Sequence, residues 1–168
     1  PAHASGPWTL RLRVPQWATG ATLSRSGAAA IDVEPGWAIV EGVGERDEII
    51  ELDLPMAAHF VFGDPRIDSA RAAVAVERGP LVYCLESPDL AGAHVDEIIV
   101  DTAVAPQVDA AGVVTVQGRR EQLASSDWPY SNGVATTPST ALASIPLIPY
   151  NEWSRRGPST MRVWMRTQ

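Results

Sequence analysis

Apolar and polar positions alternate with a period of two along much of the first ninety residues. Trp8, Leu10, Leu12 and Val14 fall on one face, with Thr9, Arg11 and Arg13 on the other. That is the pattern of a half-buried strand, and Pro15 closes it. The same pattern returns at 49–54, where Ile50, Leu52 and Leu54 oppose Glu51 and Asp53. Between these stretches, 21–24 predicts a short strand ending at Ser26-Gly27. Residues 31–34, Pro35-Gly36 and 37–41 together predict a hairpin, since the Pro-Gly pair marks a turn. A short apolar run at 59–62 stops at Gly63-Asp64-Pro65. Residues 71–77 then lead through Arg78-Gly79-Pro80 into a strand at 81–86, rich in β-branched, aromatic and aliphatic side chains. About seven strands with turn signals roughly every eight to twelve residues predict a β-sandwich.

The second half is less regular. Ser87 to Gly92 interrupts the pattern and predicts a linker, dividing the chain into a sandwich over 1–88 and a second β-rich unit over 89–168. Strands are expected at 98–100, at 113–116 and at 161–166, the last entered through a second Arg-Gly-Pro turn, Arg156-Gly157-Pro158. Pro146 interrupts the apolar run 142–148, which predicts an edge or broken strand there. Helical periodicity is nearly absent, with one short turn of helix expected at 121–125. The strand at 161–166 is so well formed after an irregular stretch that its return to the first sandwich is an alternative to neighbouring pairing. The predicted fold class is all-β: a jelly-roll-like β-sandwich, as one unit or as two packed units.

Composition narrows the function classes. The net charge of −7 comes from 20 acidic and 13 basic residues, all of them Arg and none gathered into a stripe. Nucleic-acid binding, which requires phosphate neutralisation, is disfavoured, as is an anionic membrane surface. No run approaches the roughly eighteen apolar residues of a membrane span. The opening residues lack a secretory pattern and an initiator Met, so the chain is expected to be a piece of a longer protein. One cysteine excludes an intrachain disulfide and a Cys-cluster metal site.

Candidate chemistry is sparse. Paired carboxylates could hydrolyse a glycosidic bond, and the pairs available are Glu77 with Glu86 and Glu51 with Asp53; a solvated strand face accounts for the second pair. Cys84 sits mid-strand among apolar neighbours, where packing explains it better than a nucleophile, which would need a nearby cation or helix end. His3, His59 and His94 lack ligands at metal spacing. Arg78 and Arg156, each before a Gly-Pro turn, are read as fixing loop geometry through carbonyl or carboxylate bonds. Six Trp are many for this length. Trp8, Trp37 and Trp164 are read as core or sheet-face residues. Trp128 and Tyr130 lie in a Pro- and Gly-containing loop where an exposed ring could stack on a sugar. Trp153 joins them as a candidate sugar contact. No residue is assigned a catalytic, cofactor-binding or metal-binding role.

The segments LRLRVPQWA (10–18), LDLPM (52–56), AVAVERGPLVYCLE (73–86) and IPLIPYNEWSRRGPSTMRVWM (145–165) occur in that order. Together they resemble the region that follows the catalytic barrel in glycoside hydrolase family 127, the β-L-arabinofuranosidase type. Departures are confined to turns: Ser26-Gly27 where the family commonly has Asn-Gly, Asn151 where it has Tyr, and Arg155 in place of Asn. The resemblance implies that catalysis resides in an (α/α)₆ barrel absent from this sequence. There a zinc ion held by cysteines and a glutamate activates a cysteine nucleophile. Cys84 matches the family's sandwich cysteine and not that nucleophile. Zinc is therefore expected only in the missing domain, and the expected partner is the protein's own barrel, with homodimerisation and carbohydrate as further candidates. Three readings follow: a non-catalytic accessory region that buttresses the barrel, a carbohydrate-binding module, and an autonomous enzyme using a carboxylate pair.

Overall fold

A computed structural model describes residues 6–43, 47–122, 130, 132–133 and 138–167. All its regular elements among these residues are strands and short 3-10 turns. The chain divides into two compact units, Pro1–Met56 and Ala57–Gln168. The division thus falls earlier than the Ser-Pro-Asp-Gly interruption suggests, because the strands at 73–86 hydrogen-bond with the later ones.

In the first unit, β1 (Pro7–Val14) pairs antiparallel with β4 (Gly36–Val43), and β2 (Thr22–Arg25) lies between β3 (Ile31–Asp32) and β5 (Ile50–Asp53). The predicted hairpin across Pro35-Gly36 does not form. Gly36, at φ 142°, starts β4, whose partner is β1 over the full register from Pro7↔Val43 to Val14↔Gly36, while β3 pairs with β2. Eight paired residues per strand outweigh the local turn preference. Val14, Ala18, Ala21 and Ala38 form a small core with Leu12, Trp17, Val33, Leu52 and Leu54. Trp8 lies over Gly42, where any side chain would collide with its ring, and the Arg25 guanidinium stands 5.6 Å from that ring. Arg25 is itself held by Glu48 in a two-pronged pair, with nitrogen–oxygen distances of 2.9 Å.

The second unit is one sheet that closes on itself. Its strands are β6 (Ala58–Phe62), β7 (Ala73–Arg78), β8 (Leu81–Glu86), β9 (Ile98–Val100), β10 (Gln107–Val108), β11 (Val114–Glu121), β12 (Ser139–Pro149), β13 (Met161–Arg162) and β14 (Met165–Thr167). The hydrogen-bonded path runs β8-β12-β11-β9-β14-β7, and β7 also pairs with β8, so these six strands form a ring. Inside it Val74, Val76, Tyr83, Leu85, Ile98, Val114, Ile145 and Met165 pack as one core.

One expectation holds here and another changes. Residues 139–149 form one strand, which pairs with β11 through a register shift between Val116 and Gly118. It meets β8 only at Ile148 and Pro149, so Pro146 lies on an edge stretch, as expected. Pro146 is therefore tolerated opposite Thr115, with no ladder bond missing on the β8 side. The final segment is two short strands, split at Val163-Trp164; β13 pairs with β8, and β14 with β7 and β9. Of the predicted helical turn at 121–125, Glu121 ends β11, Gln122 carries no regular structure, and the remainder lies outside the described residues.

Candidate functional site

From Tyr83 to Glu86, strand β8 is buried on both faces. Tyr83 and Leu85 enter the core, while Cys84 and Glu86 point the other way and are equally covered, Glu86 at 1% exposure. A strand buried on both sides reads as a continuous apolar run, and LVYCLE does so until its last residue. Its outer side is closed by the segment 150–160, and Glu86 is the peg that holds that segment down.

Oε1 of Glu86 accepts from the Ser154 amide at 2.9 Å and from the Ser159 hydroxyl at 2.6 Å. Oε2 accepts from the Arg156 guanidinium, from Nε at 3.2 Å and from Nη2. Arg156 spans on to Asp89, with bonds of 2.8 and 2.6 Å to its two oxygens. Beside this, the Ser87 amide donates to the Thr160 carbonyl and the Thr160 amide to the Ser87 hydroxyl. A buried carboxylate is tolerated only with such a complement of donors. The Ser159 hydrogen bond, then Arg156 and the Ser154 amide, pull the Glu86 pKa below the ordinary value against the effect of burial. Asp89 and then Glu86 raise that of Arg156.

The held segment carries strain at one residue. Ser154 adopts φ 65°, a region that disfavours a side chain, whereas Gly157, at φ 116°, has none to disfavour. Above the clamp Tyr150 and Trp153 are exposed at 48% and 39%. Both Arg-Gly-Pro turns therefore use their arginine to fix a loop: Arg156 as described, and Arg78 by donating to the Gly112 carbonyl at 3.2 Å.

Tyr130 is exposed at 75%, Trp153 presents its ring from the clamped segment, and Trp128 lies outside the described residues. Glu77 and Glu86 are not brought together. Glu77 pairs across to Val82, and Glu86 lies four residues further along β8, roughly 13 Å at ~3.3 Å per residue. Glycosidase carboxyl pairs stand closer, within about 5–10 Å. Glu51 and Asp53 face outward opposite Ser24 and Thr22, and the Ser24 hydroxyl bonds Glu51 at 3.3 Å.

Cys84 is buried at 0% exposure, and burial, with the nearby Glu86 charge, pushes its thiol up to about 11. Such a thiol is a poor nucleophile and a poor metal ligand. Among the described residues no group of three His, Cys, Asp or Glu side chains could hold a metal ion. The donor set present does not fit the zinc–thiolate centre that the sequence resemblance associates with the barrel.

A cleft of about 350 Å³ opens beside the clamp, with Leu90, Ile98, Leu142 and Ile145 at its apolar wall and Asp89 and Arg120 among its polar groups. Both charges are already engaged, Asp89 by Arg156 and Arg120 by Glu97 at 2.8 Å. The polar hub at Glu86 and Asp89 is the feature that pattern reading missed. Its one sequence signal is a carboxylate closing an otherwise apolar strand.

Comparison with known proteins places these features in context. Residues 58–166 match the model of the glycoside hydrolase family 127 C-terminal domain. The chain is 35% identical over 167 residues to a non-reducing end β-L-arabinofuranosidase of Bifidobacterium longum subsp. longum, an alignment covering 92% of this chain and 25% of that protein. Among solved structures, one described as a glycoside hydrolase superposes with a TM-score of 0.76 at 27% identity, covering 97% of this chain and 28% of the other. A GH127 β-L-arabinofuranosidase from Geobacillus stearothermophilus T6 superposes with a TM-score of 0.73 at 27% identity, covering 97% and 27%. The chain thus spans about a quarter of the length of these relatives.

Proposed function

The chain belongs to glycoside hydrolase family 127, as its C-terminal domain region, and from that premise we propose that it is the non-catalytic accessory part of a β-L-arabinofuranosidase-like enzyme. It supports a catalytic barrel carried elsewhere in a longer polypeptide and offers a surface for pairing subunits. The observation that carries this reading is the state of Glu86. Burial makes it the best-placed carboxylate for acid–base work, yet four donors saturate it and hold its pKa down. A general acid needs the opposite shift. The clamp is built to fix a segment, which suits a supporting role.

The test compares the 168-residue chain with the full-length protein on a chromogenic β-L-arabinofuranoside. Turnover by the full-length protein and none by the chain is the expected result. Turnover by the chain that disappears in Glu77→Gln or Glu86→Gln would overturn the reading.

The exposed rings of Tyr130 and Trp153 favour a second reading, a carbohydrate-binding module, with Trp128 as a third contributor. Aromatic faces stack on sugars with little conformational cost. Titrating arabinose-containing oligosaccharides while following Trp fluorescence tests it: a saturable change lost in Trp153→Ala supports the module, and no change at millimolar sugar with folded protein rejects it.

A further inference from the structure

The first unit has two sheets whose outward faces are written differently. On β2 and β5 the outward positions are Thr22, Ser24, Glu51 and Asp53. On β4 they are Trp37, Ile39, Glu41 and Val43, and the apolar three are 62%, 54% and 81% exposed. Their neighbours on β1 are Arg13 opposite Trp37 and Arg11 opposite Ile39. The other face of β4 holds the buried Ala38 and Val40. A strand apolar on both faces is the composition of one covered on both sides. Trp37 and Ile39 are neighbours on this face, and exposed apolar side chains grouped within a polar rim are a feature of interaction surfaces. A two-stranded sheet is also marginal without further packing.

We infer that the outward face of β1 and β4, centred on Trp37 and Ile39, is the docking surface for the remaining part of the full-length enzyme. This rests on the accessory reading and gives that support a location. Two observations choose this occupant. Relatives carry about three times as much chain again beyond the portion matched here, and the matched family model is named as the C-terminal domain, which puts a large body within reach of β1. The patch also carries the positive side chains Arg11 and Arg13, against one acid, Glu41, in a chain whose net charge is −7. A second copy joined face to face would bring the same two arginines and single acid, so the contact would carry an excess of positive charge from both sides. The complementary surface is therefore apolar with an acidic rim. Arg13 is already poised for such a role, its guanidinium held by the Val14 and Gly36 carbonyls and lying 6.0 Å from the Trp37 ring.

Carbene footprinting with mass spectrometry, on the full-length protein and the 168-residue chain in parallel, tests this. The expected result is heavy labelling of Trp37 and Ile39 in the chain, lost for the most part in the full-length protein, with 50–53 labelled alike in both. Equal labelling of Trp37 in both forms overturns the inference. So does protection in the chain alone that grows with concentration, which would assign the face to a second copy. The double variant Trp37→Ser, Ile39→Ser adds a functional readout. Because both side chains point outward, the chain keeps its melting temperature, while in the full-length protein the C-terminal region is cleaved faster by limited proteolysis. Unchanged proteolysis in the full-length variant overturns the inference as well. Hydrolytic activity in the chain alone would refute the accessory reading without touching the footprint, so the two failures are distinguishable.

Discussion

Replacing Glu86 by Gln tests the clamp at its centre, because the change conserves volume and removes charge and one acceptor. In the native protein two donors meet Oε1 and the guanidinium meets Oε2. An amide offers one oxygen, so its NH₂ must face either the guanidinium or the serine pair. The second arrangement is the better, since the Ser159 hydroxyl can turn and accept, leaving the Ser154 amide as the orphan. One buried unsatisfied N–H and the loss of charge-assisted bonding cost about 2 kcal/mol, which at this chain length lowers the melting temperature by roughly 4–8 °C. The pH dependence supplies the stricter check. Glu86 has its pKa lowered in the folded state, so its stabilising contribution is present above the unfolded value, near the ordinary 4.5. It is lost as pH falls through the depressed folded value. Urea melts followed by circular dichroism from pH 7 down to pH 3 should show the gap between wild type and variant constant at first and narrowing below about 4.5. A gap that stays the same at the lowest pH, or no gap at neutral pH, would refute an ionised, stabilising Glu86.

Three further outcomes follow from the same geometry. Cys84, buried with its thiol pushed to about 11, should not react with a disulfide reagent at pH 8 in the folded protein and should react at once in denaturant; fast native labelling would contradict its placement. At Gly118 an added Cβ would lie 2.2 Å from the Ile99 carbonyl oxygen, between β11 and β9. Backbone cannot yield cheaply there, and Gly118→Ala should cost about 3 kcal/mol or more by urea unfolding, the scale of a strained core. At Gly42 the obstacle is the half-buried Trp8 ring, 2.1 Å away, which can swing out. Gly42→Ala should therefore cost less than Gly118→Ala, and the Trp fluorescence should shift red; equal costs would show that Trp8 is as fixed as backbone.

Much of the fold was legible because its signals are local. The alternations at 8–14 and 50–54 locate β1 and β5, and both Arg-Gly-Pro turns mark loops that an arginine fixes. Pairing was less legible, since pairing is a property of the whole unit. The Pro35-Gly36 turn signal suggested a hairpin, and the long match between β1 and β4 overrode it. Pro146, by contrast, did mark an edge, since β8 reaches β12 only at Ile148 and Pro149. The clamp was the least legible part. Glu86, Asp89 and Arg156 are separated by 67 and 70 residues of sequence where they bond, and no period or motif carries that distance.

The two surfaces of this chain that break local rules break them in opposite ways. Strand β8 should end in an apolar residue and ends in Glu86; the cost is met inside the chain by Arg156, Ser154 and Ser159. Strand β4 should be polar on its outward face and carries Trp37, Ile39 and Val43, and nothing among the described residues covers them. Sequences tolerate such conflicts where something compensates for them or where function requires them. The first conflict is resolved within the domain, so it accounts for how the segment 150–160 is held. The second is resolved only if another body lies on the sheet. A buried charge satisfied from within at Glu86 and an apolar face left exposed on β4 are what the supporting role proposed above requires.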